Sequence, residues 1–358
     1  MHAAVAYEAG QPLVVEDLDL PEVGPRDVLV RLSASGICHT DLTVIDGLSA
    51  LPLPMVPGHE GCGVVEEVGA EVQRVRVGDR VAASVSPACG RCWWCLNGMS
   101  QHCELKPVVS AHHRYTLPDG RTAPALCGCG TFAEAMVVDE ASVVAVQTDL
   151  ADEQLALLGC GVTTGLGAAL ITAGVTPGAT VAVIGCGAVG QSVVQGARIA
   201  GAATIIAIDL AEARRDAAVA VGATHAIDPA AGDPVEQVRA LTGGRGVDFG
   251  FEVVGHPDLM VQAVGMVRTA GVVTFVGMPP KDAMLTLPAV GAIFSGKRIQ
   301  GSVVGGAQIL RDIPRFIRLA ESGRLDLESM VSRRIGLAQI NEGIDLLRQA
   351  DGVRTVVV

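Results

Sequence analysis

The chain has 358 residues, of which 49% are hydrophobic, 3% are aromatic and 44 are glycines. This length exceeds one typical domain, and the composition suits packed layers of sheet and helix joined by many tight turns. The formal net charge of −12 argues against nucleic acid or an anionic membrane as a partner, because both need basic surfaces. The first residues hold Glu8 and lack an apolar core of signal-peptide length, so we expect a cytoplasmic protein with no membrane segment.

Short β-type runs separated by glycine and proline fill the first part of the chain, for example at residues 28–32, 63–68 and 80–84. They predict a β-rich domain over residues 1–160. Residues 155–175 are apolar enough to suggest a membrane span, but glycines and Pro177 interrupt the segment. We therefore interpret it as a buried helix followed by a buried strand.

From about residue 180 the pattern changes to apolar strands that alternate with helix-like segments. Six such runs lie at residues 181–184, 204–208, 224–227, 248–252, 272–276 and 299–303. Strands that alternate with helices predict a parallel sheet, and six strands complete a doubly wound one over residues 161–303. Residues 304–358 contain two amphipathic helices and a closing strand, and we expect them to return to the first domain and to leave a ligand cleft between the two.

A glycine-rich turn follows the first of these strands and precedes a helix. Gly185 permits the tight turn, Gly187 lets the backbone approach a pyrophosphate, and Gly190 lets the helix pack closely on the strand. Asp209 ends the next strand, where a carboxylate can accept hydrogen bonds from the adenosine ribose and repel a 2′-phosphate. This favours NAD over NADP. The alternative is a glycine turn without a dinucleotide, in which Asp209 only caps a helix.

Four cysteines follow the pattern C-x2-C-x2-C-x7-C within a lobe of about residues 86–104: Cys89, Cys92, Cys95 and Cys103. Four thiolates can close a tetrahedral shell around zinc with no open position, which predicts a structural zinc site. Four unrelated cysteines or an iron–sulfur site are the alternatives.

A second set of possible ligands is scattered: Cys38, His59 and Cys160. Three protein ligands and one vacancy are what a catalytic zinc needs, because the substrate oxygen occupies the fourth place. Spacing alone does not join these residues, since a lone cysteine beside glycines is more often inert core.

In chain order, these motifs resemble those of the zinc-containing alcohol dehydrogenases of the medium-chain dehydrogenase/reductase superfamily. The matching segments span nearly the whole chain, from residues 36–41 and 58–65 through the glycine-rich turn to residues 277–280 and Arg354. The resemblance implies an α/β fold with a central Rossmann domain, which has a doubly wound six-stranded parallel sheet, and a β-rich GroES-like catalytic domain formed by both chain ends. It also implies a homodimer or a tetramer, and the long segment 104–130 favours the homodimer.

The same resemblance implies roles at the metal site. Cys38, His59 and Cys160 would bind a catalytic zinc, with Glu60 beneath the metal. Asp41 would orient His59, in agreement with the rule that ligating histidines lean on a carboxylate. Thr40 would supply the hydroxyl that hydrogen-bonds the substrate oxygen.

For the coenzyme, the resemblance implies three groups of contacts. His39 and Arg354 would lie near the pyrophosphate, Asp209 and Arg214 at the adenosine ribose, and Thr164, Val189 and Met278 around the nicotinamide.

The expected protein is a zinc-dependent oxidoreductase that moves a hydride between NAD and a primary, bulky or aromatic alcohol or its aldehyde. It would hold two zinc ions per chain, and the catalytic one would act as a Lewis acid on the substrate oxygen. A formaldehyde dehydrogenase that needs glutathione or mycothiol is an alternative, because residues 38–41 also resemble that branch. A non-catalytic NAD-binding or metal-sensing protein is a third reading.

Two positions depart from the pattern of many family members. Thr43 stands where a histidine often passes the proton to solvent, and Val85 is small where some relatives have an aromatic residue, which favours a large substrate. We expect Cys127 and Cys129 in the wall of the substrate pocket and His113, with its neighbour His112, on the solvated surface.

Overall fold

The computed structural model describes residues 1–49 and 51–358, without the side chains of residues 110–112. Two units divide the chain. Unit 1 comprises Met1–Gly161, Ala307–Gly323 and Leu327–Val358, and unit 2 comprises Val162–Gly306 and Arg324–Asp326. Both chain ends therefore belong to the same unit.

The N-terminal part of unit 1 is rich in short strands. The strands are β1 (His2–Val5), β2 (Val14–Asp17), β3 (Asp27–Gly36), β4 (Glu60–Val68), β5 (Arg80–Ala83), β6 (Arg114–Thr116), β7 (Thr122–Pro124), β8 (Ala135–Asp139) and β9 (Val143–Ala145). The helices are α1 (His39–Ile45), α2 (Trp93–Leu96), α3 (Lys106–His112) and α4 (Asp152–Ala156). Single 3₁₀ turns lie at Ser100–His102, Leu126–Gly128, Glu140–Ser142 and Leu157–Gly159.

Helices and strands alternate in unit 2. The helices are α5 (Gly161–Gly167, continued by the π turn Ala168–Thr172), α6 (Ala188–Ile199), α7 (Glu212–Ala220), α8 (Pro234–Leu241), α9 (Pro257–Met266) and α10 (Ala289–Ser295). The strands are β10 (Thr180–Ile184), β11 (Thr204–Ile208), β12 (His225–Ile227), β13 (Val247–Glu252), β14 (Val267–Phe275) and β15 (Arg298–Gly301). The 3₁₀ turns are Pro229–Ala231 and Val304–Gly306.

The C-terminal part of unit 1 contains α11 (Ile309–Glu321), β16 (Val331–Ile335), the 3₁₀ turn Leu337–Gln339, α12 (Ile340–Arg348) and β17 (Arg354–Val357). The main sheet of unit 1 has the order β16-β17-β3-β4-β5-β9, and β8 also pairs with β3. Antiparallel pairing of β17 with β3, in which Val356 faces Gly36, joins the two chain ends in one sheet. Cys38 lies just after the end of β3, and His59 lies just before the start of β4.

The sheet of unit 2 has the order β12-β11-β10-β13-β14-β15, and its strands are all parallel. Apolar side chains cover both of its faces, such as Val183 and Ile205 on one and Ile184 and Ile206 on the other. Burial on both faces explains why these strands read as continuous apolar runs in the sequence. The predicted six-stranded, doubly wound sheet is confirmed. Its strand order reverses between β10 and β13, and in such sheets ligands bind beyond the carboxyl ends of the strands at that point.

The apolar segment after residue 152 forms short helices. Leu155, Leu158 and Leu166 are buried. Within the described residues no single helix has the length and apolarity needed to cross a membrane, and only a bent pair, Asp152–Gly159 with Gly161–Thr172, meets the criteria of length and composition.

Candidate metal centres and dinucleotide site

Four possible ligand residues converge in unit 1. Cys38 lies between β3 and α1, His59 and Glu60 lie at the start of β4, and Cys160 follows the Leu157–Gly159 turn. One ligand atom from each of the four lies within 4.8 Å of the others. The fold thus brings together Cys38, His59 and Cys160, which stand far apart in the sequence.

Asp41 organises this cluster from the first turn of α1. Its Oδ1 is 3.0 Å from His59 Nδ1 and accepts from the Gly58 N–H at 3.0 Å, while Oδ2 accepts from the Cys38 N–H at 2.8 Å. Asp41 is fully buried. Because Nδ1 faces a carboxylate, the imidazole turns Nε2 towards the thiols, as in ligating histidines that lean on a carboxylate.

Glu60 and Arg354 form a buried ion pair beside the thiols. Glu60 Oε1 accepts from the Gly161 N–H at 2.9 Å and lies 3.2 Å from Arg354 Nη2, and Arg354 also donates to the Ile37 carbonyl. Burial raises the pKa of Glu60 to about 7, although the Arg354 charge opposes the shift. Arg354 therefore lies next to the cluster, and its predicted contact with a pyrophosphate stays a prediction.

The cluster has the chemistry of a zinc site. His59 Nε2 and Glu60 Oε2 are buried and have no hydrogen-bond partner among the described atoms. A hydrogen bond from Cys160, with the charges of Arg354 and His59, holds the pKa of Cys38 well below its usual range, and the same pairing raises that of Cys160. Two thiols and an orphaned imidazole nitrogen fit zinc, which would deprotonate both thiols.

Three hydroxyl-bearing or basic residues lie on α1, which begins directly after Cys38. The Thr40 hydroxyl is 3.9 Å from Cys38 Sγ, so it lies beside the ligands. The Thr43 hydroxyl donates to the His39 carbonyl at 3.0 Å, one turn back on the same helix. The His39 side chain is exposed.

A small apolar group packs near these residues. Val44, Met55 and Leu126 form a cluster against which Cys127 is half-buried. Cys127 adopts a φ of 55°, and burial raises the pKa of its thiol. Cys129 is fully buried, and its pKa is raised to about 12 for the same reason. In the described part of the chain neither cysteine joins a metal-type cluster.

The four-cysteine lobe forms the second cluster. Its four sulfurs, from Cys89, Cys92, Cys95 and Cys103, lie within 4.8 Å of one another. Two of the separations are 4.0 and 3.9 Å, close to the roughly 3.8 Å edge that Zn–S bonds of about 2.3 Å give a tetrahedron. The backbone N–H groups of Cys92 and Leu105 point at sulfurs at 3.3 and 3.4 Å, which favours thiolates.

A cavity of about 550 Å³ lies beside this lobe, within unit 1. His113 lines this cavity, and the interpretation of His113 as a solvated surface residue is wrong. His113 is buried, with Nε2 3.0 Å from Asp27 Oδ1. The burial of His113 could not be predicted from the neighbouring sequence, because its partner Asp27 is distant along the chain. The described residues do not include the side chain of His112.

The glycine-rich turn of unit 2 has the geometry expected for a dinucleotide. Gly185 has a φ of 93°, and a Cβ on Gly190 would stand 1.8 Å from the Gly185 carbonyl oxygen. Gly187 precedes α6, and a Cβ there would meet nothing within 4 Å among the described residues. Open space at the N-terminus of a twelve-residue helix fits a pyrophosphate group.

Asp209 follows β11 and faces this turn. Its Oδ2 accepts from the Cys186 N–H at 2.7 Å, and its Oδ1 accepts from the Ala211 N–H at 2.9 Å. Each carboxylate oxygen keeps a lone pair for a further donor, such as a ribose hydroxyl. Arg214 is half-buried nearby, and its Nε has no hydrogen-bond partner among the described atoms.

The predicted nicotinamide contacts fall on three elements of unit 2. Thr164 is half-buried on α5, and a Cβ on its neighbour Gly165 would stand 2.3 Å from the Val189 carbonyl in the first turn of α6. Met278 follows β14 and is 67% exposed. Thr164 and Val189 thus lie on packed elements.

Two further groups of unit 2 lay outside the sequence analysis. Glu252 is fully buried at the end of β13, and its Oε1 accepts from the Val254 and Gly255 N–H groups at 2.9 and 2.7 Å. Arg215 binds the loop after β11 and pairs with Asp228. Neither belongs to a recognisable motif, although a lone acid at the end of a predicted strand was a usable signal for Glu252.

Two protein families match the chain. Residues 24–148 match the alcohol dehydrogenase GroES-like domain family, and residues 188–322 match the zinc-binding dehydrogenase family. The NDMA-dependent alcohol dehydrogenase of Amycolatopsis methanolica is 36% identical, over 99% of this chain and 98% of the relative.

Solved structures of dehydrogenases also resemble the chain. Benzyl alcohol dehydrogenase from Acinetobacter calcoaceticus superposes with a TM-score of 0.92 at 31% identity, over 99% of this chain and 98% of the other. A chain from Sinorhizobium meliloti solved with bound NADP gives a TM-score of 0.81 at 28% identity, over 100% and 98% of the two chains.

The matched families and the alcohol dehydrogenase relatives place the chain among the oxidoreductases, in the class of zinc-binding dehydrogenases. The chain belongs to the zinc-containing alcohol dehydrogenase family of the medium-chain dehydrogenase/reductase superfamily. The resemblance found in the sequence is thereby confirmed, as is the combination of a GroES-like and a Rossmann-type domain. Zinc and a nicotinamide coenzyme are the cofactors of such an enzyme.

Proposed function

We propose that the protein is a zinc-dependent alcohol dehydrogenase that transfers a hydride between NAD and a primary, bulky or aromatic alcohol or its aldehyde. The observation that carries the proposal is the convergence of Cys38, His59 and Cys160 with a buried imidazole nitrogen that has no partner among the described atoms. Two thiolates and one imidazole leave a fourth position, which a closed structural site does not.

The residues of the cluster would hold the metal, and their neighbours would set the net charge around it. Zinc, when bound, supplies Lewis acidity to the substrate oxygen. Asp41 fixes the imidazole of His59 through Nδ1, and so keeps Nε2 directed at the metal position. Arg354 pairs with Glu60, so its positive charge balances the negative charge of that carboxylate beside the two thiolates.

The proton of the alcohol would pass to the Thr40 hydroxyl, which lies beside Cys38. Thr43 cannot continue the path as a histidine would. Its side chain has no titratable nitrogen, and its hydroxyl donates to the His39 carbonyl. We propose that ribose hydroxyls and water complete the route to solvent. Hydrogen-bonded hydroxyls serve as relays because each can donate and accept.

Asp209 supports NAD as the preferred coenzyme. Its two oxygens are held by the Cys186 and Ala211 N–H groups and retain lone pairs for ribose hydroxyls. A 2′-phosphate brought against this carboxylate would meet charge repulsion. We propose that His39 and Arg354 bind the pyrophosphate, that Arg214 binds the ribose, and that Thr164, Val189 and Met278 surround the nicotinamide.

The two clusters support our proposal of two zinc ions per chain. We propose that Cys89, Cys92, Cys95 and Cys103 hold the second ion as a closed sulfur site that stabilises the lobe. Four protein ligands exclude substrate from that ion, so it takes no part in hydride transfer.

A bulky substrate is supported by the nature of two side chains. Val85 is small and buried, and Cys127, whose thiol interacts electrostatically with His59 and Cys38, is half-buried against Met55 and its neighbours. The structural similarity to a benzyl alcohol dehydrogenase agrees with this choice.

We propose a homodimer. α10 exposes Val290, Ile293 and Phe294 by 69, 76 and 82%, and β15 is the last strand of its sheet in the described part of the chain. Exposed apolar side chains next to an open sheet edge favour association with a second copy. Sedimentation of the Phe294→Glu variant should show monomers.

A cytoplasmic location remains a prediction from the sequence.

The substrate test compares initial rates on benzyl alcohol, geraniol and formaldehyde, with NAD and with NADP, each with and without glutathione or mycothiol. We expect thiol-independent oxidation of the two alcohols with NAD. Formaldehyde turnover that needs a thiol, without alcohol oxidation, would instead identify a thiol-dependent formaldehyde dehydrogenase.

The Cys160→Ala variant tests the metal site. Turnover should be abolished while NAD binding, measured by fluorescence titration, survives, because the coenzyme turn belongs to unit 2. Equal loss of both would indicate a merely structural metal.

A further inference from the structure

We propose that Arg215 and Asp228 form a positioning pair that holds Asp209 in place and thereby sets the preference for NAD over NADP. The proposal rests on the proposed function, since it assumes that the coenzyme's adenosine ribose reaches Asp209. Neither member of the pair needs to touch the coenzyme, so both are positioning residues.

Arg215 grips the loop that carries Asp209. From α7, its Nη1 donates to the carbonyl oxygens of Asp209 and Leu210, both at 2.8 Å. Its Nη2 lies 3.3 Å from Asp228 Oδ2, and only 15% of the side chain is exposed. One guanidinium thus binds two consecutive carbonyls and a carboxylate. Charge-assisted bonds of this kind are the stronger ones in proteins.

Asp228 is in turn fixed to the sheet. It follows β12, which pairs in parallel with β11 so that Ile227 faces Ile208. Its Oδ1 accepts from the Ala230 N–H at 2.8 Å, which leaves Oδ2 for Arg215. The pair therefore ties the turn after β11 to the turn after β12, at the carboxyl ends of two neighbouring strands.

This grip decides where the Asp209 carboxylate points. The Ala211 N–H that donates to Asp209 Oδ1 belongs to the same peptide as the Leu210 carbonyl, whereas the Cys186 N–H that donates to Oδ2 comes from the glycine-rich turn. Arg215 fixes the peptides on either side of Leu210 through their carbonyls. Without Arg215 the peptides are freer to rotate, and the carboxylate loses its fixed position towards the ribose and the glycine-rich turn.

The pair also keeps a cation from acting as a phosphate site. A guanidinium beside the adenosine ribose is a ready partner for a 2′-phosphate. Here its donors are directed at two carbonyls and at Asp228. The arrangement thus favours NAD twice, by fixing an anion against the ribose and by directing the donors of Arg215 away from a 2′-phosphate.

Three substitutions separate these effects. In Arg215→Ala, we expect KM for NAD and the inhibition constant of AMP to rise together by about tenfold, which corresponds to roughly 1.4 kcal/mol, while kcat changes little. Arg215→Lys should recover part of the loss, because an ammonium group can still donate to a carbonyl. In Asp228→Asn, Nη2 of Arg215 loses its carboxylate partner and becomes available to a 2′-phosphate, so the ratio of kcat/KM for NADP to that for NAD should rise by about tenfold.

Arg268→Ala is the matched control. Arg268 also pairs with a carboxylate, that of Asp248 at 2.6 Å, and donates to a carbonyl, but it belongs to the start of β14, the opposite end of the sheet. It should leave the KM values and the AMP inhibition constant unchanged. Thermal unfolding of all variants reports any general loss of stability.

The proposal is overturned if Arg215→Ala leaves KM for NAD and AMP inhibition at wild-type values, or if Asp228→Asn leaves the NADP-to-NAD ratio unchanged. Asp209→Ala distinguishes this failure from failure of the proposed NAD site. If Asp209→Ala weakens NAD and AMP but Arg215→Ala does not, only the positioning pair is wrong. If Asp209→Ala also has no effect, the proposed coenzyme site itself is wrong.

Discussion

Asp41 is the carboxylate on which the geometry of the first metal cluster depends, and Asp41→Asn tests it with the smallest change in shape. Asp41 is fully buried and accepts from three nitrogens: the Cys38 N–H through Oδ2, and the Gly58 N–H and His59 Nδ1 through Oδ1. An asparagine offers one acceptor oxygen and one NH₂ group. Whichever way the amide turns, at least one buried donor faces another donor.

The size of the effect follows from this count. Leaving one buried donor unsatisfied costs about 1–3 kcal/mol, so the free energy of unfolding should fall by that amount. Loss of the carboxylate behind His59 should weaken zinc binding by about 10- to 100-fold, as outer-sphere partners of ligating histidines do. The two measurements are urea unfolding at fixed zinc and competition for zinc with a chelator.

Asp46→Asn is the control, because Asp46 ends the same helix but pairs with Arg348 at a partly exposed position. Such a pair contributes about 0–1 kcal/mol, and zinc affinity should not change. Wild-type zinc affinity in Asp41→Asn would refute the assignment of His59 as a ligand oriented by Asp41.

Three other substitutions follow from the structure. Gly190→Ala should prevent coenzyme binding or folding, because its Cβ would stand 1.8 Å from the Gly185 oxygen; a normal coenzyme affinity by fluorescence titration would contradict the packing. Cys92→Ser should lower the zinc content by one ion per chain while the other ion remains, as elemental analysis can show. Burial raises the pKa of Glu252 above its ordinary 4.5, so wild type should gain stability relative to Glu252→Gln as pH falls through that raised pKa towards 4.5. A pH-independent difference in urea unfolding would contradict this.

The sheet of unit 2 could be predicted from the sequence because its strands are buried on both faces. Val181 and Ile205, fully enclosed, lie in continuous apolar runs that need no knowledge of neighbouring elements. The glycine-rich turn was readable for a similar reason, since Gly185 and Gly190 meet local steric demands. Features that depend only on nearby residues can therefore be recognised in the sequence.

Groups assembled from distant segments could not be predicted in the same way. Cys38 and Cys160 were joined only through family resemblance, because the contact arises from tertiary folding and leaves no spacing pattern. His113 was misplaced on the surface because Asp27, its buried partner, is far away in the chain. Arg215 and Asp228 form an ordinary arginine–carboxylate pair, which becomes notable only when its grip on the Asp209 loop is seen.

The most direct test of the central claim is an anomalous-difference map at the zinc absorption edge from crystals of the protein with bound coenzyme. We expect two peaks per chain, one among the four lobe sulfurs and one within bonding distance of Cys38 Sγ, His59 Nε2 and Cys160 Sγ, with the remaining position open to solvent or substrate. Absence of the second peak, or a Glu60 carboxylate permanently bound in its fourth position, would rule out the proposed catalytic zinc.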